Sequence, residues 1–312
     1  MRKAILGMPY RLAVMLLLSI SSLVLNSRAV AAEALPVVVS FSILADLTQQ
    51  IGGDRVQVHS LVGPGADAHV FQPTPADART LSRARLVIVN GLGFEGWIDR
   101  LIQSSGYRGT LLVASQGIYA LRQPPAHAGT DHHQHTGGID PHAWQDLANA
   151  RRYVANISAA LGDADPPNRS VYQANAARLE QAMATLDGEI RATFSALPAD
   201  RRKVVSSHDA FAYFGRAYGI HFIAPVGVST DAEPSAGEVG AIIRQIRKEK
   251  IKAMFVENIA DPRLLERISR ESGARIGGTL YSDSLAKPGS TADSYLGMMR
   301  QNAKTLAAGL AD

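Results

Sequence analysis

Four short segments, Ala68-His69, Asp140-Pro141-His142, Ser206-Ser207-His208-Asp209 and Tyr281-Ser282-Asp283-Ser284, each carry a side chain able to bind a metal. They stand roughly seventy residues apart, far beyond the close ligand pairs of a zinc finger, so only a tertiary fold can bring them together. Imidazole and carboxylate suit a divalent transition metal, and four such groups close a tetrahedral shell without water. This spacing predicts a chain folded around one ion, with His69, His142, His208 and Asp283 as the candidate ligands.

The amino end sets the compartment. Arg2, Lys3 and Arg11 precede the apolar run Leu12 to Ile20, and Ala29-Val30-Ala31-Ala32 follows. A basic, then apolar, then small-residue order reads as a secretory signal peptide over residues 1–32, too short in its apolar part to span a bilayer. Removing Arg2, Lys3, Arg11 and Arg28 with it leaves 28 basic against 28 acidic residues, so the formal +4 charge offers no case for nucleic acid. The 312 residues contain no cysteine, which excludes thiolate metal sites, disulfides and a thioether lipid anchor. A soluble, monomeric periplasmic protein is expected after cleavage.

The remaining chain, about 280 residues, is long enough for two cores. β-rich runs at Val37–Phe41, Val56–Val62, Leu86–Asn90 and Thr110–Ala114 alternate with helical stretches such as Leu44–Ile51 and Pro75–Ser82. The theme repeats at Lys203–Ser207, His221–Ala224, Ile251–Glu257 and Arg275–Tyr281. Such alternation predicts an α/β fold of two lobes, each a mainly parallel sheet flanked by helices. Between them Tyr172, Ala176, Leu179, Met183, Leu186, Ile190, Phe194 and Leu197 recur every three or four residues, the period of one helix face. Pro166 and Pro198 bracket it, so one long, rigid connecting helix is expected. The division is residues 33–164 for the first lobe, 165–198 for the linking helix and 199–312 for the second lobe.

His69, His208 and Asp283 each follow a predicted strand, at the carboxyl edge where open parallel sheets bind ligands; His142 stands at a predicted helix entrance. Two donors from each lobe put the metal in the cleft between lobes. Glu257, ending another strand, is a candidate to orient an imidazole N–H from behind, and Asn90, Glu95 and Trp97 are candidates to brace the cleft. His127, His132, His133 and His135 fall in a Pro, Gly and His tract over residues 123–138, the composition of a loop that recruits metal without belonging to the main site.

Five ordered motifs resemble one family: Asp67-Ala68-His69-Val70-Phe71-Gln72-Pro73, Asn90-Gly91-Leu92-Gly93-Phe94-Glu95-Gly96-Trp97, Asp140-Pro141-His142-Ala143-Trp144, Ser207-His208-Asp209-Ala210-Phe211 and Tyr281-Ser282-Asp283-Ser284-Leu285. The chain is similar over its mature length to the metal-binding solute-binding proteins of ABC transporters, the zinc and manganese receptors of the ZnuA/TroA type. The resemblance implies that His69, His142, His208 and Asp283 surround the ion, that the protein is a receptor rather than an enzyme, and that its partner is the membrane permease of an ABC importer. A periplasmic metallochaperone is a further candidate partner. Ala68 departs from the family's usual proline and is expected to loosen its loop. His208 stands where manganese receptors of the family commonly carry Glu, and three imidazoles with one carboxylate favour zinc, with manganese as the alternative cargo. Rival readings are a zinc hydrolase, disfavoured because four side chains leave no position for water, and a metal-binding adhesin of the same fold.

Overall fold

Two four-stranded parallel sheets carry the molecule, with strand orders β2-β1-β3-β4 and β6-β5-β7-β8. The structure is a computed structural model that describes residues 33–122 and 138–311. The expected signal peptide and the histidines at 127, 132, 133 and 135 lie outside the described residues. The first sheet is built from β1 (Leu35–Phe41), β2 (Val56–Val62), β3 (Leu86–Val89) and β4 (Thr110–Val113). The second is built from β5 (Lys203–Val205), β6 (His221–Ile223), β7 (Ala253–Glu257) and β8 (Arg275–Leu280). In both sheets the first strand pairs with the second on one side and the third on the other, so both have their topological switch point at that strand's carboxyl end.

The helices of the first half are α1 (Ser42–Gly52), α2 (Pro75–Ser82), α3 (Ile98–Ser105) and α4 (Leu147–Ala164). The long helix α5 covers Arg169–Ser195, and α6 (Ala212–Tyr218), α7 (Ala236–Glu249), α8 (Arg263–Ser272) and α9 (Tyr295–Ala311) complete the second half. α5 buries Tyr172, Ala176, Leu179, Met183, Leu186, Ile190 and Phe194, the stripe its sequence predicts. At 1.5 Å per residue it is about 40 Å long. It starts one turn later than expected because Pro166–Asn168 forms a 3-10 turn, in which the Asp165 carboxylate accepts from Asn168 Nδ2 (2.7 Å) and the Tyr172 hydroxyl (2.6 Å) instead of capping a backbone N–H.

α5 packs against α1 and α4 on one side and α6 and α9 on the other, so a single element touches both halves. One hydrophobic core runs through both sheets along it, from Leu35 to Leu310; a smaller cluster of Val205, Val239, Ile243, Ile246, Met254, Leu265 and Ile268 fills the space between β5, β7, α7 and α8. From Leu35 onward the chain is one compact unit. Each large aliphatic side chain buried along this seam contributes about 1.5–3 kcal/mol, so wide separation of the halves would expose a costly surface.

Candidate metal centre

The switch points of the two sheets face each other, and all four sequence-predicted donors meet between them. His69 comes from the loop after β2, His142 from the turn preceding Ala143–Gln145, His208 from just beyond β5, and Asp283 from just beyond β8. One ligating atom from each lies within 4.8 Å of those of the others, and among the described residues this is the only group of three or more His, Cys, Asp or Glu able to hold a metal. The other described histidines, His59 and His221, lie on strands β2 and β6.

Three imidazole Nε2 atoms converge on the Asp283 carboxylate. His69 and His208 approach Oδ2 at 3.2 and 3.1 Å, His142 approaches Oδ1 at 3.5 Å, and the Nε2 atoms of His69 and His142 are 3.3 Å apart. A tetrahedron with metal–donor bonds of about 2.0–2.1 Å has edges of about 3.3–3.4 Å. The four separations above, 3.1–3.5 Å, lie close to that edge, and all the ligating atoms fall within 4.8 Å of one another. His208 Nε2 and both Asp283 oxygens are buried and make no hydrogen bond. Buried polar atoms are rarely left so, because each costs roughly 1–3 kcal/mol, more for a charged group. A divalent cation held among the four side chains would take His208 Nε2 and one Asp283 oxygen as ligands.

Behind the donors each half supplies its own support. Asp140 Oδ1 accepts from both the backbone N–H (2.9 Å) and Nδ1 (2.8 Å) of His142, which aims Nε2 inward. Glu257 Oε1 accepts from the His208 backbone N–H (2.8 Å) while its Oε2 lies 2.6 Å from Nδ1 of the same residue. The contact of Glu257 with His208 agrees with its reading as a strand-end carboxylate behind an imidazole. Asp140 was not singled out, although an aspartate two residues before a histidine was available as the signal. His69 has its own aspartate at that offset: Asp67 Oδ1 accepts its backbone N–H (2.9 Å).

Asn90, Glu95 and Trp97 brace the first half. Glu95, buried, accepts from the Ser40 hydroxyl and the Asn90 and Gly91 N–H groups; burial pushes its carboxyl pKa up and these hydrogen bonds work against that. Asn90 Nδ2 donates to the Pro141 carbonyl (3.0 Å) and so fixes the turn that carries His142. The turn between them needs Gly91, whose φ is +82° and where a Cβ would meet Val113 at 2.4 Å. Trp97 Nε1 donates to the carbonyl of Ala68 (2.8 Å). Ala68 is fully buried, so this hydrogen bond and burial anchor a loop that lacks the usual proline.

Charge is tightly coupled here. Burial opposes protonation of His142, but Asp283 and Asp140 outweigh it and push its pKa up to about 9. Burial also opposes protonation of His208, and Glu257 with Asp283 outweighs it, raising the value well above the ordinary one. Burial would raise Asp283; His208 and His142 hold it well below the carboxylate range instead. In the metal-free protein the field of three carboxylates is answered by protons, which a divalent ion displaces.

Residues 37–309 match the model of the family described as ZnuA, zinc-uptake complex component A, periplasmic. The chain belongs to that family. Its relatives include a manganese ABC transporter substrate-binding lipoprotein, PsaA of Streptococcus pneumoniae, 32% identical over 89% of each chain. Among solved structures, the periplasmic zinc-binding protein TroA of Treponema pallidum superposes with a TM-score of 0.82 at 28% identity, over 89% of this chain and all of that one. The manganese-bound periplasmic metal-binding protein of Candidatus Liberibacter asiaticus gives 0.76 at 29% identity, over 88% and 99%. The chain is thus a metal-binding substrate-binding protein of an ABC transporter, a receptor and not an enzyme, with a membrane permease as its partner. No described helix is long and apolar enough to cross a membrane.

Proposed function

We propose that the protein captures one zinc ion outside the cytoplasm with His69, His142, His208 and Asp283 and delivers it to the permease of an ABC importer. The observation that carries this reading is the convergence of three imidazole nitrogens, at 3.1–3.5 Å, on one buried carboxylate whose oxygens make no hydrogen bond. Three nitrogens and one oxygen form a softer set than one with two carboxylates, and zinc prefers it. Glu257 and Asp140 act on the ion indirectly, by holding His208 and His142 in the tautomer that offers Nε2.

A second reading, manganese, is supported by the printed function of relatives such as PsaA. Titration of both metals against a chelator of known affinity, with elemental analysis of the protein as isolated, separates the two. The His208→Glu variant sharpens it: exchanging a borderline nitrogen for a hard oxygen should weaken zinc and shrink the zinc-to-manganese ratio, while the Irving–Williams order still leaves zinc ahead. An unchanged ratio would show that selectivity does not lie in that donor.

We place the mature protein free in the periplasm as a monomer. Several relatives are named lipoproteins, but these 312 residues contain no cysteine to carry a thioether lipid. The histidines at 127, 132, 133 and 135 serve, on this reading, as a weak recruiting tract, and a periplasmic metallochaperone is a natural donor to it.

A further inference from the structure

The two edges of the cleft are fastened very differently. At the rear, buried groups cross between halves: Trp144 Nε1 and Gln145 Nε2 donate to the Ser282 carbonyl (2.9 and 2.7 Å), Tyr213 donates to the Asp140 carbonyl (3.0 Å), and Tyr295 to the Trp144 carbonyl (2.6 Å). At the front, the loop carrying His69 is pinned at its base, where the Gly65 N–H reaches Ser284 Oγ (2.7 Å). Beyond Gly65, apart from the approach of His69 Nε2 to Asp283, the loop is tied across the cleft by the Thr230 hydroxyl, which donates to Asp67 Oδ2 at 2.6 Å.

Asp67 thus has two tasks. One oxygen holds the His69 N–H and the other holds Thr230. The segment bearing Thr230 is in turn fastened to the backbone of another donor: His208 bridges to Val226, and the Asp209 N–H donates to the Val226 and Gly227 carbonyls (3.1 and 3.2 Å). A chain of contacts therefore runs from the donor His69 through Asp67 and Thr230 to the segment of the donor His208. His69 is also the one residue of the four that is not fully buried, although its imidazole is only 4% exposed.

We propose that the Thr230–Asp67 hydrogen bond is a latch: Asp67 and Thr230 are positioning residues that keep His69 over the ion and set how long the ion is held. This rests on the receptor reading above. Because the bond is formed only when the loop is closed, it stabilises the bound state and slows dissociation, leaving association nearly unchanged. Thr230 touches none of the four donor side chains and is partly exposed, so its replacement leaves the fold intact.

The test is stopped-flow transfer of zinc from the full-length protein to a fluorescent chelator in excess, for the parent, Thr230→Val, Thr230→Ala and Thr230→Ser. A hydrogen bond to a charged group predicts that Val and Ala raise the dissociation rate about tenfold, with the association rate and the unfolding temperature of the metal-free protein unmoved. Ser, which restores the hydroxyl, returns the rate to that of the parent. Equal dissociation rates in the parent and both hydroxyl-free variants, or no rescue by Ser, would overturn the latch. A parent that takes up no zinc tightly would instead overturn the receptor reading beneath it.

Discussion

His142 and His208 differ from His69 in what stands behind them. The first two are fully buried, and each has a carboxylate against Nδ1, Asp140 in one case and Glu257 in the other. His69 has no carboxylate against its Nδ1 among the described residues; its ring lies edge-on to Phe94 at 4.7 Å between centroids, and its position is set through its backbone N–H. The contrast teaches how such a site both holds and releases an ion. A floor of three candidate donors, His142, His208 and Asp283, is preorganised by packed elements at a cost met during folding, and the fourth candidate, His69, stands on a loop.

The largest expected effect tests that asymmetry directly. A zinc site worth about 10–16 kcal/mol shared over four donors loses about 2.5–4 kcal/mol with one of them, roughly a hundredfold to a thousandfold. His142→Ala and His208→Ala should lie at or beyond the upper figure, because each also strands a buried carboxylate. His69→Ala should lie nearer the lower figure, since among the described residues no carboxylate stands against its Nδ1 to be stranded. Chelator competition on the three variants checks this, and equal losses would erase the distinction between floor and loop.

Next in size are the supporting carboxylates. Glu257→Gln and Asp140→Asn should each weaken zinc about 10–100-fold by loosening the orientation and lowering the basicity of their imidazoles. Asp67→Asn should do less, because it acts on the backbone of His69 and not on its ring. If Asp67→Asn proved the most damaging of the three, the loop rather than the floor would dominate affinity.

Protons provide a smaller and more graded probe. His142 titrates near 9 in the metal-free fold against about 6.5 when unfolded, so its protonated form stabilises the metal-free protein fully below about 6.5 and that contribution is lost as pH rises through 9. Zinc affinity should move the opposite way, rising over the same window as fewer protons must be displaced. Calorimetric unfolding of the metal-free protein and zinc competition, both between pH 6 and 9.5, check the two slopes. Parallel slopes would contradict the coupling. The smallest effect is expected from deleting residues 126–136: the tight site keeps its stoichiometry and affinity, and only weaker additional zinc disappears from the calorimetric titration.

Much of this architecture was legible before the fold was seen. The four candidate ligands stood out by type, three of them also by position after strands, and the α5 face by its period, since these signals are local to one element. What stayed hidden depends on which elements meet. Trp144 and Tyr295 carry hydrogen bonds between the two halves, and Asn302 exchanges two hydrogen bonds with the backbone of Tyr281, close to Asp283; no local pattern marks any of the three for these roles. The run Thr110–Ala114 reads only as β-rich; the fold shows β4 at the sheet edge, with Leu111 and Val113 44% and 37% exposed. Asp140 was passed over because Asp-Pro is as good a turn as it is a histidine support, and only the fold distinguishes the two uses.

The central claim is that one ion sits within three imidazoles and one carboxylate. X-ray absorption at the zinc edge, on protein loaded with one equivalent, measures it most directly. The account predicts four light donors at about 2.0–2.1 Å with the multiple-scattering signature of three imidazoles, unchanged by deletion of residues 126–136 and reduced to two imidazoles in His142→Ala. A five- or six-coordinate ion, or a spectrum with three imidazoles that persists in His142→Ala, would contradict it.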